Sequence, residues 1–306
     1  AATTIKAEAA IIYDYDSLWA LRIQPGFPEN EYQKAIGRYY RALFRAGVNV
    51  DIVPRGADVS RYKLVLAPAL HVLPDADAAR LAAYVRAGGV LLADCRTAVK
   101  DESNLCHART LPGLLAPTLG IEIEEYESVP ANSSYRVHGT PAFAGEFSAV
   151  QYADWVHART AEVLAGFADW HLRGYAVLTR HASGNGTGWY CGAVIKEDAF
   201  YDQVIRQLLR DARIRPLLTP PPGVEVSVRR GARHELVFLI NHTEEPQTVH
   251  VPAGMTDALR NCAAGERVRL ERHGVAVLRR VRGAQKKSVA TAMKGKSTKA
   301  CSTLDV

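Results

Sequence analysis

Three groups of side chains have the types and spacing to do chemistry. Asn30-Glu31 sets a carboxylate beside an amide, and Glu122, Glu124, Glu125 and Glu127 crowd four carboxylates into six residues. Cys95 follows an apolar run that ends in Asp94. Acid–base catalysis needs carboxyl groups in fixed geometry, and a nucleophilic thiol needs a sharp strand-to-helix elbow with a histidine in reach. The local sequence meets neither requirement. Asn30 precedes a helical pattern, where Asn caps free amides and Glu faces the positive end of the helix dipole. The four glutamates alternate around a strand or its exit and read as a solvated face. Cys95 is flanked by Asp94 and Arg96 rather than by glycines, and His71 and His107 show no evident pairing with it. A structural thiol is expected.

Other chemistries fare no better. No GxGxxG or GxxxxGK[ST] follows an early strand, so a phosphate cradle is unsupported. The five cysteines, Cys95, Cys106, Cys191, Cys262 and Cys301, are scattered without CxxC spacing, so neither a zinc site nor a cofactor is expected. Their odd number fits reduced thiols in the cytoplasm. Asn241-His242-Thr243 matches N-x-T and reads as a hairpin turn. The net charge of +6 is concentrated in residues 283–306, where five lysines face one acid, Asp305. The rest is close to neutral with both signs interspersed, which argues against nucleic acid as a partner. No apolar stretch approaches the ~20 residues a membrane span requires.

Two further sets of polar residues stand where strands empty into loops. One is Asp14, Tyr15, Asp16 and Trp19; the other is Asp94, Arg96, Lys100, Asp101 and Glu102. Open parallel sheets bind at such strand ends. These residues either line a crevice or interface, or else Asp16, Arg96 and Asp101 form ion pairs that order their own loops. Trp19 has the alternative of filling the core.

The elements that position these residues follow from hydrophobic periodicity. Residues 9–13, 48–53, 63–67 and 90–93 are short apolar runs. Helical patterns at 31–46 and 75–87 alternate with them, and Gly47 and Gly88-Gly89 end those helices. The alternation predicts an α/β, flavodoxin-like (class I amidotransferase-like) domain with a mainly parallel sheet. Residues 121–193 carry mostly strand signals, with a glycine-rich hairpin at 182–188, and a helix at 198–211 closes the domain. Pro216 and Pro220-Pro221-Pro222 mark a stiff linker over 216–222. Short alternating strands over 223–282 predict a small antiparallel β-sandwich, and residues 283–306 a disordered basic tail.

Several stretches, in order, resemble glycoside hydrolase family 42, the β-galactosidases. Ile11-Ile12-Tyr13-Asp14-Tyr15-Asp16-Ser17-Leu18-Trp19-Ala20 is similar to the opening of that family's trimerisation domain. The run from Arg96 to Asn104, with Leu111-Pro112-Gly113-Leu114, resembles its loop after the fourth strand. Gly186-Thr187-Gly188-Trp189-Tyr190-Cys191-Gly192 resembles its glycine hairpin. Residues 239–243 with 274–278 resemble its C-terminal β domain. The resemblance implies a trimerisation domain over 8–215 and a homotrimer. It also implies an N-terminal (β/α)₈ barrel that carries the two catalytic glutamates and acts on terminal β-galactosides. A barrel needs ~250 residues and a retaining pair needs two carboxyls ~5.5 Å apart. No catalytic residue is therefore carried onto this chain. Two other classes stay open: a free-standing amidotransferase-like enzyme using Cys95, and a carbohydrate-binding module in the sandwich. The module is disfavoured because residues 222–282 hold a single aromatic residue, Phe238.

Overall fold

A computed structural model describes residues 3–26 and 32–281. The elements run β1 (Thr4–Ile5), β2 (Ala9–Tyr13), α1 (Tyr15–Ile23), α2 (Tyr32–Arg45), β3 (Val50–Pro54), β4 (Leu64–Ala67), α3 (Asp75–Arg86) and β5 (Val90–Asp94). Then come α4 (Ala116–Leu119), β6 (Ile121–Ser128), β7 (Tyr135–Gly139), β8 (Glu146–Ala158), β9 (Glu162–Phe167), β10 (Ala176–Ser183), β11 (Gly186–Cys191), β12 (Ala193–Ile195) and α5 (Asp198–Asp211). The last strands are β13 (Val224–Arg230), β14 (His234–Asn241), β15 (Gln247–His250), β16 (Thr256–Asp257), β17 (Cys262–Ala263), β18 (Arg267–Leu270) and β19 (Val275–Val281). The chain divides into two compact units, one of residues 7–43 and 50–215, the other of its remaining described residues. The expected cap at Asn30, with Glu31, and the tail 283–306 lie outside the described residues.

In the first unit one mixed sheet has the order β12-β8-β7-β9-β10-β11-β5-β4-β2-β3, with β6 also on β8. β3, β2, β4, β5 and β11 are parallel. The other pairings are antiparallel. This overturns the expected flavodoxin-like parallel α/β class: the chain is mostly strand, and mixed and antiparallel pairing dominates it. The physical reason lies after Asp94. A parallel connection needs a crossover of a dozen or more residues, usually a helix. β7 to β12 are joined by turns too short for that, so they fold back antiparallel. The helix–strand alternation holds only for the first 94 residues.

The parallel part is sequence-driven. β2, β4 and β5 are almost wholly apolar and buried, as strands covered on both faces must be. α3 lays Leu81, Tyr84 and Val85 against Val65, Leu91 and Tyr190 in one core. α2 and α5 bury Tyr39 and Tyr201, whose rings meet edge to face at 5.3 Å. The β10–β11 hairpin turns through Gly184 at φ +60°. A Cβ on Gly186 would stand 2.2 Å from the carbonyl oxygens of Val85 and Gly89, so only glycine lets β11 slide in beside β5.

The second unit is antiparallel, with a six-stranded sheet ordered β1-β13-β14-β19-β16-β17 and a ribbon of β15 and β18. Val226, Val237, Leu239 and Leu278 from the sheet pack on Val249, Val251 and Leu270 in a common core. Leu218 joins it from within the expected linker.

Candidate functional site

The C-terminal ends of the parallel strands converge on one polar cluster. Asp14 follows β2, Arg55 follows β3, His71 lies beyond β4, and Asp94 and Arg96 close β5. Asp14 caps α1: its Oδ2 accepts from the Ser17 amide at 2.8 Å and the Ser17 hydroxyl at 2.7 Å. The Ser17 hydroxyl accepts in turn from the Val72 amide at 3.0 Å, which fastens α1 to the loop after β4. Arg55 spans Asp14 at 3.1 Å, Asp16 at 3.0 Å and Asp77 at 2.8 Å.

The loop after β5 is tied to the same place. Lys100, nearly buried, donates from Nζ to Gln24 Oε1 at 3.1 Å, at the end of α1. Arg96 is buried and stands at φ +71°, a left-handed conformation costly for a side chain with a Cβ. Its guanidinium carbon lies 5.6 Å and 5.5 Å from the ring centres of Tyr126 and Tyr152. Those rings stack on each other at 5.5 Å. Arg96 hydrogen-bonds Tyr152, and the Asp154 carboxyl accepts from Tyr152 and, at 2.7 Å, from the Tyr190 hydroxyl. Asp94 accepts from the Ala69 amide and from Tyr39.

Burial dominates the electrostatics. It raises the carboxyl of Asp94 to about 7, against the favourable bond from Ala69 and the charge of Arg38. It raises Asp154 to about 7 in the same way, against bonds from Tyr190 and Tyr152. It lowers His71 to about 3, with the Arg96 charge adding to the effect. The His71 ring is therefore neutral, with Nδ1 donating to the Arg96 carbonyl at 3.1 Å. His71 Nε2 and Arg96 Nε are buried without hydrogen-bond partners.

The structure answers the sequence candidates one by one. Asp16 pairs with Arg55, not with the second loop. Asp101 accepts from the Ser103 and Leu105 amides at 2.9 and 3.0 Å and so orders its own loop. Glu102 is exposed. Trp19 does not fill the core: Tyr15, Trp19 and Ile23 are 62%, 55% and 77% exposed and follow one another at four-residue spacing along α1. Cys95 is buried, and burial pushes its thiol well above its ordinary value, the opposite of an activated nucleophile. Glu122 pairs with Arg159 at 2.7 Å, and Glu124 with His157 at 2.7 Å and Tyr175 at 2.9 Å. These glutamates form a paired surface. Asp154, Tyr152 and Arg55 are not among the residues the sequence singles out, and Tyr190 enters there only as part of the glycine hairpin. Asp154 alone carries a signal, as an acid in the middle of β8 between Tyr152-Ala153 and Trp155-Val156.

Comparison with known proteins now places the chain. Residues 7–215 match the β-galactosidase trimerisation domain and residues 223–280 the β-galactosidase C-terminal domain. The chain belongs to glycoside hydrolase family 42 as its trimerisation and C-terminal domains. It is 30% identical over 283 residues to β-galactosidase BgaB of Geobacillus sp. strain Y412MC61, covering 90% of this chain and 41% of that protein. It is 29% identical over 274 residues to β-galactosidase LacZ of Heyndrickxia coagulans, covering 89% and 40%. A β-galactosidase crystal structure from Bacillus circulans sp. alkalophilus superposes with a TM-score of 0.86 at 28% identity, covering 90% of this chain and 42% of that one. The chain thus spans about two fifths of these relatives' length. Among the described residues no helix is long and apolar enough to cross a membrane.

Proposed function

We propose that this chain is the assembly and C-terminal portion of a β-galactosidase that acts on terminal β-galactosides in carbohydrate metabolism. The catalytic glutamates of that enzyme stand on a (β/α)₈ barrel outside this sequence. The observation that carries the reading is the ordered match of both family domains over nearly the whole chain, against relatives more than twice as long. In this account the chain forms a homotrimer and works in the cytoplasm, in keeping with buried thiols at Cys95 and Cys191. The cluster at the strand ends holds α1 and the loop after β5 in place. Tyr15, Trp19, Asp101 and Glu102 then belong to a face turned towards a barrel or a neighbouring subunit, and buried Asp14, Arg96 and Lys100, with Asp16, hold that face in shape. Exposure of Tyr15 and Trp19 supports this, since an aromatic pair at 5.9 Å on one helix face is apolar surface available for burial.

A chimera tests it. The barrel of the Geobacillus enzyme fused ahead of Thr3 should hydrolyse a chromogenic β-galactoside as a trimer, while the chain alone should not. Turnover by the chain alone, or a chimera that folds but stays monomeric, would overturn the reading.

A further inference from the structure

The outer edge of β13 is closed by chain from far upstream. β1 pairs with it antiparallel, Thr4 opposite Arg230 and Ile5 opposite Arg229. Arg229 grips the same segment, its Nη2 donating to the Thr3 carbonyl at 2.7 Å and its Nε to Thr3 Oγ1 at 3.3 Å. Beyond β1, Asn49 continues the ladder. Its Nδ2 donates to the Val228 carbonyl at 2.8 Å, and its Oδ1 accepts from the Val228 amide at 3.4 Å. A side-chain amide carries the donor and acceptor of a peptide group, so Asn49 supplies one more rung. At the far end the Val224 amide turns back to the Pro221 carbonyl at 3.2 Å. An edge left open would offer its amides to any extended chain. Here the closing residues stand 179 and 226 positions away in sequence.

We propose that residues 3–5 act as a strap: a docked strand that the C-terminal sheet requires to close its edge. The strap also fixes where any polypeptide preceding Thr3 leaves that sheet. On the assembly reading, on which this last step rests, that polypeptide leads to the barrel. The C-terminal domain then tethers the barrel connection directly, which gives this small domain a role of its own.

Hydrogen exchange on two variants of the full chain tests the strap, one lacking residues 1–6 and one carrying Asn49→Ala. In the deletion, β13 amides should exchange faster by about tenfold or more. In Asn49→Ala the Val228 amide should respond most. β2, β4 and β5 should stay protected in both. A synthetic peptide of residues 1–7 should restore β13 protection to the deletion, and a scrambled peptide should not. If the freed edge pairs with a second copy, a dimer that the peptide dissolves supports the strap equally. Unchanged β13 protection in the deletion, or equal loosening of β2, β4 and β5, overturns it. Neither readout involves activity or trimer formation, so failure here leaves the assembly reading untouched.

Discussion

Arg55 donates from Nη1 at 3.1 Å to the same Asp14 oxygen that caps α1. One guanidinium therefore secures the cap and, through Asp77, the first turn of α3 as well. Arg55 is largely buried, so these pairs are poorly screened. Replacing Arg55 by Ala leaves the Asp14 carboxylate without its cation and should cost roughly 1–3 kcal/mol. Urea unfolding of the variant measures this; a loss within about 0.5 kcal/mol would show that α1 does not depend on the pairing.

Asp94 and Asp154 set the direction of the pH dependence. Each carboxyl titrates near 7 when folded, above its ordinary value near 4. Between those values the folded chain holds protons on these two groups that the unfolded chain has lost, so their contribution to stability falls as pH rises from about 4 to about 7 and then levels. His71, lowered to about 3, works in the opposite sense between about 3 and 6.5 and offsets part of this fall. Asp94→Asn removes one proton-binding group and keeps an acceptor for the Ala69 amide. Melting of this variant should be raised most at about pH 8, near 2–4 °C per kcal/mol, less at about pH 5, and least below about pH 4. A larger gain at pH 5 than at pH 8 would show that Asp94 is not held protonated by burial.

Cys95 is expected to be inert. Its buried thiol should react with a thiol reagent only as fast as the chain opens, while the exposed thiol of Cys106 reacts first. Mass spectrometry after brief labelling distinguishes the two. Preferential labelling of Cys95 by an electrophilic glutamine analogue, with glutamine hydrolysis lost in Cys95→Ser, would restore the amidotransferase alternative.

Local pattern made part of this molecule legible. The helical spacing of 75–87 and the apolar runs at 9–13 and 90–93 point to α3, β2 and β5, because burial on both faces leaves a continuous apolar run. α1 is hard to see in sequence because apolar Tyr15, Trp19 and Ile23 are exposed beside Asp16 and Arg22 while polar Ser17 is buried, so its hydrophobic residues do not gather on one buried face. The place of β11 beside β5 depends on contacts at Gly186 with residues about a hundred positions earlier, which no local window records. Of the candidate residues, Asp14, Asp94 and Arg96 stand in the polar cluster, but the partners Arg55, just beyond β3, and Tyr152, on β8, come from distant parts of the chain. β1 is two residues long and gains its meaning only from Arg229.

Self-association tests the central claim most directly. A face holding Tyr15, Trp19 and Ile23 is part of a larger contact in the assembly account, and stable interfaces bury at least ~1,200 Å² in total. Without barrels the association should be weak. Sedimentation equilibrium over about a hundredfold concentration range should show monomer passing to trimer by mass action. Trp19→Ala should shift that transition to higher concentration at unchanged melting temperature, and deletion of residues 283–306 should leave it in place. A dimer independent of concentration, or association lost with the tail and indifferent to Trp19, would contradict the account.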